Sequence, residues 1–201
     1  MASYQPRDKF YRQARAQGLP SRAAFKLKEI LERYPILTPN ARIVDLGCAP
    51  GGWLQILAQA APSGRIVGVD LVACRAPAPS IEVIVGDACE QSVQQRIIEA
   101  LGGAPDLVTS DMAPKLSGIR LRDEARSLQL LEVAARFAAA IVRPQGTLIA
   151  KVFMSADLNK TVATMRPAWR SLELLHTHAS RPGSRELYLL ARGYLGARAP
   201  A

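Results

Sequence analysis

From Arg42 onward the chain alternates short β-branched runs with longer amphipathic stretches, and this rhythm constrains the fold more than any other feature. The runs ARIVDL (41–46), RIVGVD (65–70), IEVIVGD (81–87), DLVTSD (106–111) and TLIAKVF (147–153) read as buried strands. Stretches 53–61, 92–101 and 125–142 read as helices, the last with Leu128, Leu131, Ala135 and Ala138 spaced along one face. Strand and helix in alternation predict a parallel sheet with helices on both faces. Near the end, LELLHTH (172–178) and ELYLLARG (186–193) are strand-like runs joined by a turn-rich stretch with no helix. Such a pair runs antiparallel, so the last strand should oppose the rest of the sheet. The fold class is therefore α/β and Rossmann-like: a seven-stranded, mostly parallel sheet whose last strand is antiparallel. Ahead of it, SRAAFKLKEILERY (21–34) reads as a helix with Ser21 as its N-cap.

A length of 201 residues suits one domain, and 49% hydrophobic with 21% charged residues excludes disorder as the dominant state. No apolar run has the length of a membrane span, and the first residues, MASYQPRDKFYRQ, have no apolar core of a secretory signal. Cys48, Cys74 and Cys89 are scattered and lack CxxC spacing, which argues against a disulfide framework or a zinc site and for a reducing cytoplasm. His176 and His178 share one face of a strand by period two, yet no third ligand is evident, so structural histidines without a metal are expected.

Charge is unevenly distributed. The net +9 lies entirely at the two ends: residues 1–33 carry eight basic and three acidic side chains, residues 166–201 six and two, and the centre balances. Such a footprint suits a polyanion.

The first strand ends in DLGCAPGGW (45–53), a glycine-rich turn leading into a helix. In α/β sheets that is where nucleotide-like ligands bind, because backbone without Cβ atoms can approach them closely. Gly47 and the pair Gly51-Gly52 do not form GxGxxG, and GK[ST] is absent, so a phosphate cradle is not supported. The second strand ends in Asp70, placed to accept from ribose hydroxyls, and the third in Gly86-Asp87, where a carboxylate can accept from an adenine amine. NAD would tolerate the first acid but wants GxGxxG; S-adenosylmethionine, with adenine and ribose but no pyrophosphate, fits better. Trp53 beside the glycines is a further candidate contact.

The fourth strand ends in SDMAP (110–114) and the fifth carries Lys151. Strand four neighbours strand one across the switch point, so Asp111 and Lys151 should project together beside the cofactor. A last strand lying antiparallel beside strand five would bring Glu186 to the same edge. Lysine in an apolar strand is rarely buried unpaired, so Lys151 demands a partner.

These stretches, DKFYRQARAQGLPSRAAFKL, DLGCAPGGW, GDA, SDMAPKLSG, AKVF and SRPGSRELY, resemble in order the FtsJ/RlmE family of ribosomal RNA 2′-O-methyltransferases, from Asp8 to about Gly193. The resemblance implies a Lys-Asp-Lys-Glu catalytic tetrad falling on Lys26, Asp111, Lys151 and Glu186. It also implies cofactor contacts at Gly51, Trp53, Asp70, Asp87 and Asp111, with S-adenosylmethionine as methyl donor and a uridine of the large subunit as the bacterial-type target. Cys48 stands where the family often has Ala, and Lys115 where Asn is usual. A ribose hydroxyl is a poor nucleophile, so the protein must align it and manage its proton. Lys151 is the candidate base if Lys26 crowds it towards neutrality, or the stabiliser of a developing alkoxide if Asp111 and Glu186 hold it charged.

The N-terminal segment interleaves Arg7, Lys9, Arg12, Arg15 and Arg22 with Tyr4, Phe10 and Tyr11, a mixture suited to phosphates and unstacked bases. Arg12, Arg15, Arg22, Arg181 and Arg185 are accordingly expected to hold RNA, with residues 1–34 forming a basic arm and helix on one methyltransferase domain spanning 1–201. The expected partner is ribosomal RNA or the large subunit, met in the cytoplasm by a monomer. The alternatives are tRNA or another RNA, and a methyltransferase of a non-RNA substrate, which would have no need for basic ends or for Lys151 with Glu186.

Overall fold

The computed structural model describes residues 22–181 and 183–196. Helix α1 (Ala23–Arg33) precedes β1 (Arg42–Leu46), α2 (Gly52–Ala60), β2 (Arg65–Asp70), β3 (Ile81–Val85), α3 (Gln91–Leu101) and β4 (Leu107–Ser110). Then follow α4 (Arg120–Ile141), β5 (Thr147–Phe153), α5 (Leu158–Met165), a 3₁₀ turn over Arg166–Ala168, β6 (Trp169–Leu175) and β7 (Glu186–Tyr194). The seven strands form one sheet in the order β3-β2-β1-β4-β5-β7-β6. Strands β1 to β5 pair parallel, while β7 runs antiparallel to both β5 and β6.

The parallel strands are apolar on both faces because helices cover both. One core layer joins Val44, Val67, Val108, Leu148 and Leu189 to α3 and α4 through residues such as Ile97, Leu131 and Phe137. The other joins Ile43, Ile66, Ile149 and Leu190 to α1 and α2 through Leu27, Ile30, Trp53 and Leu54. Chain reversal at β1 creates the switch point, with β2 on one side and β4 on the other, and the carboxyl ends of all three open there.

Several boundaries differ from those read in the sequence. The N-cap of α1 is Arg22, without a side-chain cap, and Ser21 lies outside the described residues. Helix α4 begins at Arg120 rather than near 125, and its first turns carry an i,i+4 pair of Arg120 with Glu124 and a buried Asp123. Strand β6 ends at Leu175, so His176 and His178 belong to the following loop and not to a strand face. His178 there pairs with Glu29 of α1 at 2.7 Å.

Candidate active site

Gly47 and Gly51 adopt φ of +71° and +99°, which favour glycine, and they bend the chain from β1 into α2. A Cβ on Gly47 would come within 2.8 Å of Met112, so the turn also needs glycine for packing against the loop after β4. Asp70, at the end of β2, clamps this turn: its carboxylate accepts from the Ala49 N–H and from the Val72 N–H, both at 3.0 Å. Asp87 folds over its own loop, accepting from the Cys89 N–H at 2.8 Å. Both carboxylates, with Gly47 and Asp111, line a hollow of about 560 Å³ whose walls include Val69, Met112 and Leu130.

Trp53 departs from its expected place. Its ring is 3% exposed, packs against Tyr188 with centroids 5.8 Å apart, and donates from the indole nitrogen to Ala23 of α1 at 2.9 Å. The side chain joins two helices, and neither Trp53 nor the pair Gly51-Gly52 is among the residues lining the hollow. With Gly52, Trp53 belongs to the first turn of α2, where N–H groups have no intrahelical acceptor.

Beneath the turn, Asp45 is fully buried. One oxygen accepts from Thr109 Oγ1 at 2.7 Å and the other has no hydrogen-bond partner. Burial, reinforced by the nearby charges of Asp111 and Asp70 and only partly offset by the Thr109 hydroxyl, pushes its pKa up to about 8.

The four expected catalytic side chains converge beside Asp111. Lys151 donates to the Asp111 carboxylate at 2.8 Å and to its carbonyl at 2.6 Å. Lys26 forms an ion pair with Glu186, although 160 residues separate them. The register explains the meeting: Lys151 faces Tyr188 and Phe153 faces Glu186 across the β5–β7 ladder, so period two puts all four on one face. Helix α1 packs on that face through Ala24, Leu27 and Ile30, which delivers Lys26, itself 9% exposed, over the strand ends. For Glu186, burial acts to raise the pKa, but the charge and hydrogen bond of Lys26 and the Tyr188 hydroxyl together hold it below the usual carboxylate value.

Tyr188 was missed in the sequence reading. Its hydroxyl donates to Glu186 at 2.8 Å, and burial, then the charges of Asp111 and Glu186, raise its pKa well above that of a free phenol. It is therefore a neutral donor to Glu186, placed within the field of Asp111. Spacing of two residues from Glu186 was the available signal.

Of the arginines expected to hold RNA, Arg12 and Arg15 lie outside the described residues. Arg22 donates to the Ala179 carbonyl, tying α1 to the loop before β7. Arg181 lies exposed in that loop. Arg185 pairs with Glu124 and donates to the Met154 carbonyl at 2.7 Å, at the mouth of the tetrad.

Comparison with known proteins places this architecture. The model of the FtsJ-like methyltransferases matches residues 19–194. The chain belongs to that family. It is 41% identical over 199 residues to the ribosomal RNA large subunit methyltransferase E of Myxococcus xanthus, covering 98% of this chain and 92% of the relative. The protein of the same name from Methanoculleus marisnigri is also 41% identical, over 98% of this chain and 96% of its own. Among solved structures, a ribosomal RNA methyltransferase from Plasmodium falciparum superposes with a TM-score of 0.78 at 27% identity, covering 88% of this chain and 99% of that one. This methyltransferase thus matches the two curated relatives over nearly its full length and the solved structure in fold. Among the described residues no helix is long and apolar enough to cross a membrane.

Proposed function

We propose that this methyltransferase moves the methyl group of S-adenosylmethionine to a ribose 2′-hydroxyl, that of a uridine, in large-subunit ribosomal RNA. One observation carries the reading: Asp111 lines the hollow beneath the glycine turn and at the same time holds Lys151. A methyl donor seated in that hollow and a hydroxyl brought to Lys151 would meet across a single side chain. The names of the relatives support ribosomal RNA as the substrate.

The residues suit an adenosyl group. The hollow offers acceptors at Asp70 and Asp87 for hydroxyls and an exocyclic amine, apolar walls for a purine, and no phosphate cradle. Bound there, S-adenosylmethionine supplies an electrophilic methyl on a sulfonium. The Asp70 and Asp87 side chains and Gly47 would hold it, with the turn at Gly51, Gly52 and Trp53 shaping the approach.

An ammonium has three hydrogen bonds to give. Lys151 spends two on Asp111, and the third addresses the oxygen of the acceptor hydroxyl, steadying charge as it develops there. The hydroxyl proton has the Asp111 and Glu186 carboxylates as neighbouring acceptors. Lys26 fixes Glu186 in position. Arg12, Arg15, Arg22, Arg181 and Arg185, with the arm over residues 1–34, supply the positive surface for RNA, in the cytoplasm and as a monomer.

The test is calorimetric titration with S-adenosylmethionine and with NAD, followed by transfer of labelled methyl to unmodified ribosomal RNA or large subunits and nucleoside analysis of the product. Binding of the first ligand alone and recovery of a 2′-O-methylated uridine are expected. Preference for NAD, or label on a base or on protein, would overturn the reading.

A further inference from the structure

A second hollow, of about 270 Å³, opens beside the tetrad and shares Glu186 with it. We propose that it seats the base of the acceptor nucleotide, with Arg120 and Arg185 at its rim holding an adjacent phosphate. The inference rests on the RNA 2′-hydroxyl reading above and extends it to the group that must be held still while the sugar reacts.

Phe153 and Leu116 give the hollow apolar walls, and Ser184 closes it next to Glu186. Because Phe153 pairs directly with Glu186 across the ladder and lies two residues beyond Lys151, a base against Phe153 hangs its ribose beside the tetrad. An aromatic wall next to cations is the combination that holds an unstacked base. Leu116 is 67% exposed, a large apolar surface left open at this mouth rather than packed into a core.

Two adjacent carboxylates, absent from the chemistry described so far, build this hollow. Asp123 and Glu124 are each only 8% exposed on the first turns of α4. Asp123 accepts from the N–H and hydroxyl of Ser117, both at 2.8 Å, and from the Gly118 N–H at 3.2 Å, so it sets the loop that presents Leu116. Glu124 pairs with Arg120 and Arg185 through one and the same oxygen, Oε1. Arg185 also closes on Met154 through its backbone and side chain, beside Phe153. Arg120 uses only its Nε on that oxygen, and each Nη of Arg185 keeps one further N–H beyond its bonds to Glu124 and Met154, so both guanidiniums have donors for a phosphate. Glu124 is thus a positioning residue, acting on RNA through its two arginines.

The experiment compares the wild-type protein with Phe153→Leu, Glu124→Gln and Arg185→Gln in steady-state methylation of ribosomal RNA, with cofactor affinity measured by calorimetry. Phe153→Leu should raise the KM for RNA by about tenfold, the range of one lost base–aromatic stack, with cofactor affinity unchanged. Glu124→Gln should also raise that KM although it adds net positive charge to the site, and Arg185→Gln, which removes a cation, should flatten the salt dependence by about one unit of log–log slope, which a purely structural role would not do. Titration of uridine 5′-monophosphate, followed by NMR at Leu116 and Phe153, adds a reading independent of turnover and should move those resonances in the wild type. An unchanged KM for RNA in Phe153→Leu and Glu124→Gln, or a parallel loss of cofactor affinity, would overturn the proposal. If the wild type binds cofactor but methylates no RNA, the underlying reading fails instead.

Discussion

Lys151 reaches across from β5 to Asp111 at the end of β4 and binds it twice, through the carboxylate and through the backbone carbonyl. A lysine locked in this way is poised for the reacting oxygen rather than for the cofactor. Lys151→Ala should therefore reduce methyl transfer by about 10²–10⁴-fold, the usual contribution of a positioned acid–base or charge-stabilising group, and leave the cofactor dissociation constant essentially unchanged. Single-turnover transfer and calorimetry separate the two. Lys151→Arg should not restore activity, because a planar guanidinium cannot take the place of a compact ammonium. Retained turnover in either variant would remove Lys151 from the chemistry.

The Lys26–Glu186 pair gives stability a defined pH dependence. Burial alone would raise the Glu186 pKa, yet Lys26 and Tyr188 bring it below its ordinary 4.5. A carboxyl depressed in the folded state contributes stability that is present above its unfolded value and lost as pH falls through its folded value. Lys26→Met leaves the buried carboxylate without its ion-pair partner, with only the Tyr188 hydroxyl and the more distant charge of Lys151, so it should cost about 1–3 kcal/mol at neutral pH. That cost should shrink as pH drops below 4.5, because the wild-type advantage disappears there. Urea melts across this range would show it; a cost that does not change with pH would mean the pair does not govern Glu186.

Much of this site was legible because strands have a strict period. Lys151 inside TLIAKVF announced a buried cation, and the helix-free link before ELYLLARG announced an antiparallel strand that carries Glu186 back to it. What escaped depended on neighbours remote in sequence. Trp53 turns its ring into the layer beneath α1 because the Ala23 carbonyl waits there, which no local pattern encodes. Nothing in the charge run RLRDEAR marks Asp123 and Glu124 for burial, which comes from the loop at Ser117 and the return of Arg185. Helix α5, LNKTVATM, has just eight residues, too few for a 3.6-residue period to stand out.

Asp45 should make stability fall as pH rises. Its pKa is raised from 3.8 to about 8, so the folded protein keeps a proton that the unfolded chain has released. Across that interval stability declines by up to about 1.4 kcal/mol per pH unit, and the contribution is fully lost once pH passes the folded value. Asp45→Asn removes the titration while keeping the shape and the bond to Thr109. The variant should gain on the wild type steadily from acidic to mildly basic pH and level off above about 8. Thermal melts of both proteins measure the difference; a difference independent of pH would mean that Asp45 is ionised in the fold.

Positive charge at the ends of the chain should appear as a salt effect on RNA alone. Each cation that neutralises a phosphate releases a counterion and adds close to one unit to the log–log slope of affinity against salt, about 0.7 for single strands and 0.9 for duplex. Arg12 and Arg15 belong to a segment with eight basic and three acidic side chains over residues 1–33, and both stand near Phe10 and Tyr11. Replacing both with Glu should weaken ribosomal RNA binding and flatten its slope by about one to two units, and leave S-adenosylmethionine affinity unchanged. Arg42→Glu provides the control, since Arg42 opens β1 at the opposite end of the sheet from the tetrad and bonds to the Leu101 carbonyl. If both changes flatten the slope equally, the footprint is the whole basic surface and the N-terminal arm has no special place in it.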